Sequence, residues 1–158
     1  MALNFHRARW LAFLLPLALL LGAYGSQYIG GLYPCEMCWW QRYPHFAAVA
    51  IAGLALFVAN PGMRRTLVAL AGLALLTSGL IGGFHAGVEY GWWEGLTTCS
   101  TTIKAGAGLS FEEQLMKAPL VRCDVAPWKM FGISLAGYNF LLSTMGAIAI
   151  LFAVWRNR

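Results

Sequence analysis

Four long apolar stretches divide the chain, and each approaches the roughly 20 residues that a helix needs to cross the hydrocarbon of a bilayer. They span approximately residues 10–28, 39–59, 66–84 and 131–155. Because the bilayer core offers no water to backbone groups, such stretches predict transmembrane helices. The pattern therefore predicts an all-α membrane protein, a single domain built as a bundle of four transmembrane helices.

Polar segments separate these helices. A short one covers about residues 29–40 and a long one about residues 86–130, whereas the second and third helices are divided only by the turn Asn60-Pro61-Gly62. Within the long segment, Ser110-Phe111-Glu112-Glu113 has the form of a capping box. This motif predicts a short helix that lies in the membrane interface.

Composition supports the membrane assignment. Hydrophobic residues make up 59% of the chain and charged residues only 11%, whereas soluble domains are about one quarter charged. The first stretch has a basic start and the sequence Ala23-Tyr24-Gly25, which are compatible with a cleaved signal peptide. Its apolar run is longer than usual for such a peptide, which favours a retained helix.

The charges indicate the orientation. All six acids are expected in the two polar segments between helices: Glu36, Glu89, Glu94, Glu112, Glu113 and Asp124. Six basic residues have no acid nearby and lie in the two tails and the central turn: Arg7, Arg9, Arg64, Arg65, Arg156 and Arg158. The positive-inside rule then predicts that both termini are cytoplasmic and both polar segments are periplasmic. This distribution also argues against nucleic-acid binding, despite a net charge of +5.

All four cysteines lie in the polar segments: Cys35, Cys38, Cys99 and Cys123. An even number on the oxidising side of a membrane predicts two disulfides. For Cys99 and Cys123, a purely structural link between parts of the loop is an open alternative.

Cys35-Glu36-Met37-Cys38 is better suited to redox chemistry than to structural stabilisation. A disulfide across two residues removes little entropy from the unfolded chain. One of its cysteines can be attacked while the other remains available for exchange. The pair also precedes the second helix, whose N-terminal dipole favours a thiolate. A tetrahedral zinc site is the competing interpretation, but Cys99 and Cys123 lack ligand spacing, and no metal is predicted.

These residues resemble the disulfide bond formation protein B (DsbB) family, and the resemblance covers essentially the whole chain. The matching features are Pro34-Cys35-x-x-Cys38, Arg42, His85, Cys99, Cys123, Trp128 and Gly132-Ile133-Ser134. The resemblance implies a bacterial inner-membrane thiol:quinone oxidoreductase. It also implies a partner, a periplasmic thioredoxin-fold oxidase similar to DsbA, and an electron acceptor from the membrane quinone pool, ubiquinone or menaquinone.

The resemblance also assigns roles to the four cysteines, which would be catalytic. The reduced partner would attack the Cys99–Cys123 disulfide at Cys99, and Cys123 would then attack Cys35. That attack would release Cys38 as the thiolate that faces the quinone. Arg42 and His85 would bind the quinone, Arg42 as a permanent cation beside Cys38 and His85 through a hydrogen bond or a proton.

Other functions remain open at this point. For Arg42, the alternative is an interfacial side chain that pairs with lipid phosphate. A vitamin K epoxide reductase-like enzyme is disfavoured because its quinone-facing CxxC lies on the last helix. A non-catalytic scaffold or a small transporter is a further alternative, although transporters usually carry ionisable residues in the middle of the membrane and the predicted helix interiors have none. His45 is not counted among the functional residues, Asn139 is expected to make an interhelical hydrogen bond, and Pro44 leaves the geometry at the start of the second helix open.

Overall fold

The computed structural model describes residues 4–96, 100–101 and 120–156. Their main elements are four helices: α1 (Phe5–Tyr28), α2 (Glu36–Phe57), α3 (Pro61–Glu89) and α4 (Leu135–Arg156). Two antiparallel pairs of two-residue strands accompany them: β1 (Ser100–Thr101) with β2 (Leu120–Val121), and β3 (Lys129–Met130) with β4 (Ile133–Ser134). Cys99 and the predicted interfacial helix at 110–113 lie outside the described residues.

Three of the helices are long and apolar enough to cross a membrane, namely α1, α3 and α4. On their outer surfaces large apolar side chains are exposed, among them Leu14, Leu21, Leu73, Leu80, Met145 and Ile148. Such a surface is stable in lipid rather than in water. The second helix is as long as α4, at 22 residues, but is less apolar, because its first half carries Gln41, Arg42 and His45.

Side-chain caps define where three helices begin. The side chains of Asn4, Cys35 and Asn60 each accept a hydrogen bond from the backbone N–H three residues later. Pro61 fits the first position of α3 because it has no N–H to leave unpaired there. Two acids predicted to lie between helices are instead helical, since Glu36 is in the first turn of α2 and Glu89 is the last residue of α3.

Small residues bring α3 close to α4. A Cβ added at Gly79 would lie 2.6 Å from Thr144 Oγ1, and one added at Gly83 would lie 2.8 Å from a ring carbon of Phe140. The Gly79-x-x-x-Gly83 pattern therefore provides a close contact between helices, as is typical of membrane proteins.

A tight hairpin precedes α4. Strands β3 and β4 are joined by Phe131 and Gly132, which both have positive φ angles (51° and 80°) and suit a two-residue turn. The Tyr90 hydroxyl, just after α3, donates to the Gly132 carbonyl and accepts from the Ser134 N–H. For this reason α4 begins at Leu135, four residues later than the apolar pattern predicts.

A buried cysteine pair beside a cavity between the helices

The CxxC motif forms the N-terminal end of α2. Cys35 is the N-cap residue, and its Sγ accepts a hydrogen bond from the backbone N–H of Cys38 at 3.3 Å. The two sulfur atoms lie 2.8 Å apart. Oxidation of the pair needs only a small further approach of the two sulfur atoms, to the roughly 2.05 Å of a disulfide bond. The first helical turn places Cys38 where backbone N–H groups favour a thiolate.

His85, near the end of α3, connects the cysteine pair to the loop that carries Cys123. The Gln41 amide donates to Nδ1 of His85 at 2.8 Å, so the ring proton resides on Nε2. Nε2 then donates to the Cys123 carbonyl oxygen at 3.2 Å and lies 3.6 Å from Cys35 Sγ. Both ring nitrogens are thus engaged by protein groups, and the histidine holds the Cys123 backbone next to Cys35.

Cys123 is buried and belongs to the same apolar cluster as Cys35, Met37 and Val88. The pKa of the Cys35 thiol is raised, first by its hydrogen bond with Cys38, then by burial, with a smaller contribution from the Cys123 side chain. A thiol with a raised pKa is a poor leaving group. Attack on a disulfide of this pair is therefore favoured at Cys35, because Cys38 rather than Cys35 is then the leaving sulfur.

Buried amides and hydroxyls fix the side chains around His85. The Oε1 of Gln41 accepts from Asn139 Nδ2 at 2.8 Å, and Asn139 Oδ1 accepts from the Ser143 hydroxyl at 2.7 Å. The Ser78 hydroxyl donates to the Gln41 carbonyl oxygen at 2.8 Å. This network joins α2, α3 and α4, and it includes the interhelical bonds expected of Asn139.

Glu89 completes the surroundings of His85. Its side chain is only 3% exposed, and Oε1 lies 3.8 Å from His85 Nε2. The Ser134 hydroxyl donates to the other carboxylate oxygen. Ser134 belongs to the Gly132-Ile133-Ser134 motif, so this motif ties the beginning of α4 to the end of α3.

Arg42 is buried rather than extended toward the lipid surface, with 6% of its area exposed. Nη1 donates to Gln27 Oε1 at 2.6 Å and Nη2 donates to the Ala23 carbonyl oxygen at 3.1 Å. The guanidinium also lies 4.8 Å from the ring centroid of Tyr24 and 4.9 Å from that of Trp39. Within the described ranges no carboxylate pairs with it. The structure thus holds this cation in place through hydrogen bonds and aromatic contacts.

A cavity of about 260 Å³ opens beside these residues and is lined by all four helices. Its polar side includes Cys38, Gln41, Arg42, His45, His85, Glu89 and Asn139. The rest of the wall is mainly apolar and small, and includes Ala18, Leu19, Gly22, Ala23, Leu135 and Ala136. This volume is near the lower end for small-molecule sites, and an apolar wall with a few polar groups is typical of such sites. His45 Nδ1 is buried there without a hydrogen-bond partner among the described residues.

The site also has the composition of a metal-binding cluster. The ligand atoms of Cys35, Cys38 and His85 all lie within 4.8 Å of one another. Two thiols and an imidazole are donors that zinc prefers. The zinc interpretation considered from the cysteines alone lacked a suitable third ligand, and His85 is in a position to serve as one.

Comparison with known proteins identifies the family. The profile described as "Disulfide bond formation protein DsbB" matches residues 6–153. The chain belongs to the DsbB family. Among relatives, a disulfide bond formation protein B from Aromatoleum aromaticum is 29% identical over 143 residues, which are 84% of this chain and 81% of the relative. No solved structure matches the chain with statistical significance.

Two further relatives extend the comparison. A disulfide bond formation protein B from Alkalilimnicola ehrlichii is 39% identical over 87 residues, or 52% of this chain and 53% of the relative. An uncharacterised protein from Rickettsia prowazekii is 28% identical over 124 residues, covering 77% of this chain and 71% of that protein. The resemblance found in the sequence is confirmed. Membership of the DsbB family supports a membrane-bound oxidoreductase that acts in disulfide bond formation.

Three of the four predicted cysteines and both predicted binding residues converge in the structure, at the start of α2 and the end of α3. Pro44 lies within α2, after Cys38 and Arg42, and the helix continues through it. Sequence reasoning did not single out Gln41 or Glu89. Gln41 lies three residues after Cys38 on the same helix face, a spacing that could have indicated it. Nothing in the sequence indicates that Glu89 meets Ser134.

Proposed function

We propose that the protein is a thiol:quinone oxidoreductase that reoxidises a DsbA-like periplasmic partner and transfers the electrons to ubiquinone or menaquinone. The observation that carries this proposal is the position of the CxxC pair. Cys35 packs with Cys123 on one side, and Cys38 lines the cavity with Arg42 on the other. The pair therefore lies between a source of thiols and a site suited to an apolar electron acceptor.

The first half of the relay is an exchange of disulfides. The partner's dithiol reduces the Cys99–Cys123 disulfide, with the first mixed disulfide at Cys99, and leaves as a disulfide. The Cys123 thiolate attacks Cys35 Sγ, so that a Cys123–Cys35 bond forms and the Cys35–Cys38 bond breaks. Cys38 leaves as a thiolate. Attack of Cys99 on Cys123 then restores their disulfide and leaves Cys35 and Cys38 reduced, with two electrons transferred.

His85 supports this exchange through position. Its Nε2–H holds the Cys123 carbonyl, and the Gln41 amide fixes the ring so that this N–H points toward Cys123 and Cys35. Glu89 Oε1 lies 3.8 Å from the same nitrogen, on the same side of the ring as Cys35 and the Cys123 carbonyl, and favours the orientation in which Nε2 carries the proton. In this proposal His85 positions the sulfur atoms of Cys35 and Cys123 for exchange and also lines the cavity.

The second half takes place at the cavity. The quinone, when bound, accepts two electrons and two protons, and Cys35 and Cys38 return to the disulfide. Cys38 and Arg42 hold it from α2, while small and apolar residues of α1 and α4 leave space for the ring. The guanidinium of Arg42 is a cation. It therefore stabilises the Cys38 thiolate and the negative charge that develops during reduction.

We further propose that the protein spans the bacterial inner membrane four times, with the cysteine-bearing end of the bundle in the periplasm. The second span is α2, which packs between α1 and α3. Arg7, Arg9, Arg64 and Arg65 lie at the opposite end of α1 and α3 from the cysteines. The positive-inside rule then assigns that end to the cytoplasm.

A trapping experiment tests the first exchange. Cys123→Ser leaves Cys99 as an unpaired thiol, which attacks the disulfide of an oxidised DsbA-like partner. Because Cys123 is missing, the mixed disulfide is expected to accumulate. Mass spectrometry after alkylation should locate it at Cys99. The double variant Cys99→Ser/Cys123→Ser serves as the control and should give no adduct. An adduct at Cys35 or Cys38, or none at all with an active wild type, would contradict the assigned order.

A structural metal site is the second candidate function, because three ligand atoms from Cys35, Cys38 and His85 lie so close together. The redox proposal predicts that purified protein contains far less than one equivalent of zinc, and that a chelator leaves quinone-dependent oxidation of the partner unchanged. Elemental analysis and the same assay with EDTA measure both. Stoichiometric zinc whose removal unfolds the protein would favour the metal site instead.

A further inference from the structure

His45 is a buried polar residue that the relay described above does not use. It is 4% exposed, lies inside α2 and lines the cavity. Its Nδ1 has no hydrogen-bond partner among the described residues. Buried polar side-chain atoms are nearly always paired. An unpaired ring nitrogen in the wall of a cavity therefore indicates a group that binds there.

The other polar groups of this wall are largely occupied. The amide oxygen and nitrogen of Gln41 and of Asn139 are all bonded to protein atoms, as are both ring nitrogens of His85. Arg42 donates to Gln27 and Ala23 but keeps further N–H groups and its charge. Among the nitrogen donors of this wall that the structure describes, the guanidinium of Arg42 and Nδ1 of His45 thus have N–H capacity left for a bound molecule.

The spacing of these two residues suits a molecule with two opposed acceptors. Cys38, Arg42 and His45 follow one another at intervals of four and three residues, which places them along one face of α2. At a rise of about 1.5 Å per residue, His45 lies about 4.5 Å beyond Arg42 along the helix axis. This step is comparable with the distance between the two carbonyl oxygens of a para-quinone ring.

We propose that His45 donates a hydrogen bond from Nδ1 to the quinone carbonyl that is remote from Cys38, while Arg42 serves the carbonyl near Cys38. This inference rests on the proposed quinone reductase function and adds a second anchor to that site. A quinone oxygen only accepts hydrogen bonds, so Nδ1 carries the proton. As the ring is reduced, negative charge develops on both oxygens, and a fixed donor at the remote oxygen stabilises it.

Three variants separate this role from a merely structural one. His45→Leu removes the donor, His45→Asn retains an amide N–H close to the position of Nδ1, and His45→Gln places its amide nearer to that of Nε2. The probe is a soluble ubiquinone analogue with a shortened tail, and its dissociation constant is measured from quenching of tryptophan fluorescence in detergent. We expect His45→Leu to weaken binding by about tenfold. His45→Asn should recover most of this loss, whereas His45→Gln should not.

The same variants are then compared for turnover. The KM for the quinone should follow the dissociation constant, and disulfide exchange between the partner and Cys99–Cys123 should proceed at the wild-type rate in all three. Unchanged binding in His45→Leu, or equal losses in the Asn and Gln variants, would overturn the role of His45. If the wild-type protein binds the quinone but never reduces it, the enzymatic proposal is refuted. The dissociation constants of the three variants would still test the role of His45 in binding. If the wild type binds no quinone, both proposals fail.

Discussion

Replacement of Cys38 by serine is expected to lower quinone reduction by about 10⁴-fold or more, as is typical when the reacting nucleophile of an enzyme is removed. Cys38 is the only sulfur among the described residues that lines the cavity, so no other thiol is placed to transfer electrons there. The measurement is the decrease in quinone absorbance with purified protein, a soluble ubiquinone analogue and reduced partner.

The change should stop the relay after disulfide exchange. Cys35 and Cys123 remain in their cluster, so in the Cys38→Ser variant the unpaired Cys35 thiolate should attack the Cys99–Cys123 disulfide at Cys123, forming a Cys35–Cys123 bond and releasing Cys99 as a thiolate. Glu36→Gln is the matched control, because Glu36 lies inside the same motif, is exposed and faces away from the cavity. It should retain activity within about twofold. Normal turnover of Cys38→Ser would refute the relay.

Loss of the charge at Arg42 should have the second-largest effect. We expect Arg42→Met to lower turnover with quinone by about a hundredfold, since a fixed group that stabilises developing negative charge commonly contributes that much. Arg42→Lys keeps a cation but cannot reproduce the two directed bonds to Gln27 and Ala23. Its activity should fall between those of Arg42→Met and the wild type. The quantities to compare are kcat and KM for the quinone, at constant partner concentration.

Gln27→Leu provides the control for Arg42. It removes the partner of Nη1 but leaves the charge, so its activity should fall by less than about tenfold. If Gln27→Leu were as damaging as Arg42→Met, the structural bonds of Arg42 rather than its charge would explain its importance. If Arg42→Met had full activity, the cation would have no part in quinone reduction.

The sequence predicts the four helices and the main residues of the site because their signals are local. A CxxC before an apolar stretch, an arginine four residues later and a histidine near the end of the third stretch can each be recognised without knowing the fold. The predicted helix ends are less accurate, because caps and hairpins decide them rather than hydropathy. Thus α3 begins at Pro61 and ends at Glu89, well beyond its apolar core.

The features of the site that the sequence does not predict depend on contacts between residues far apart in the chain. Gln41 orients His85, which lies 44 residues later in the chain. Asn139, which lies 98 residues after Gln41, donates a hydrogen bond to it. No pattern along the chain specifies which amide meets which ring. The sequence does not single out His45, and only the structure shows that it lines the cavity with a buried Nδ1 that has no partner among the described residues.

The polar first half of α2 has a consequence for how the protein is made. A segment with Gln41, Arg42 and His45 in its interior is poorly suited to leave the translocon for lipid by itself. Its polar groups find partners on α1, α3 and α4, the last of which is synthesised at the end. The redox site therefore reaches its final form only after translation is complete, so a nascent chain without α4 should be inactive and sensitive to quality-control proteases.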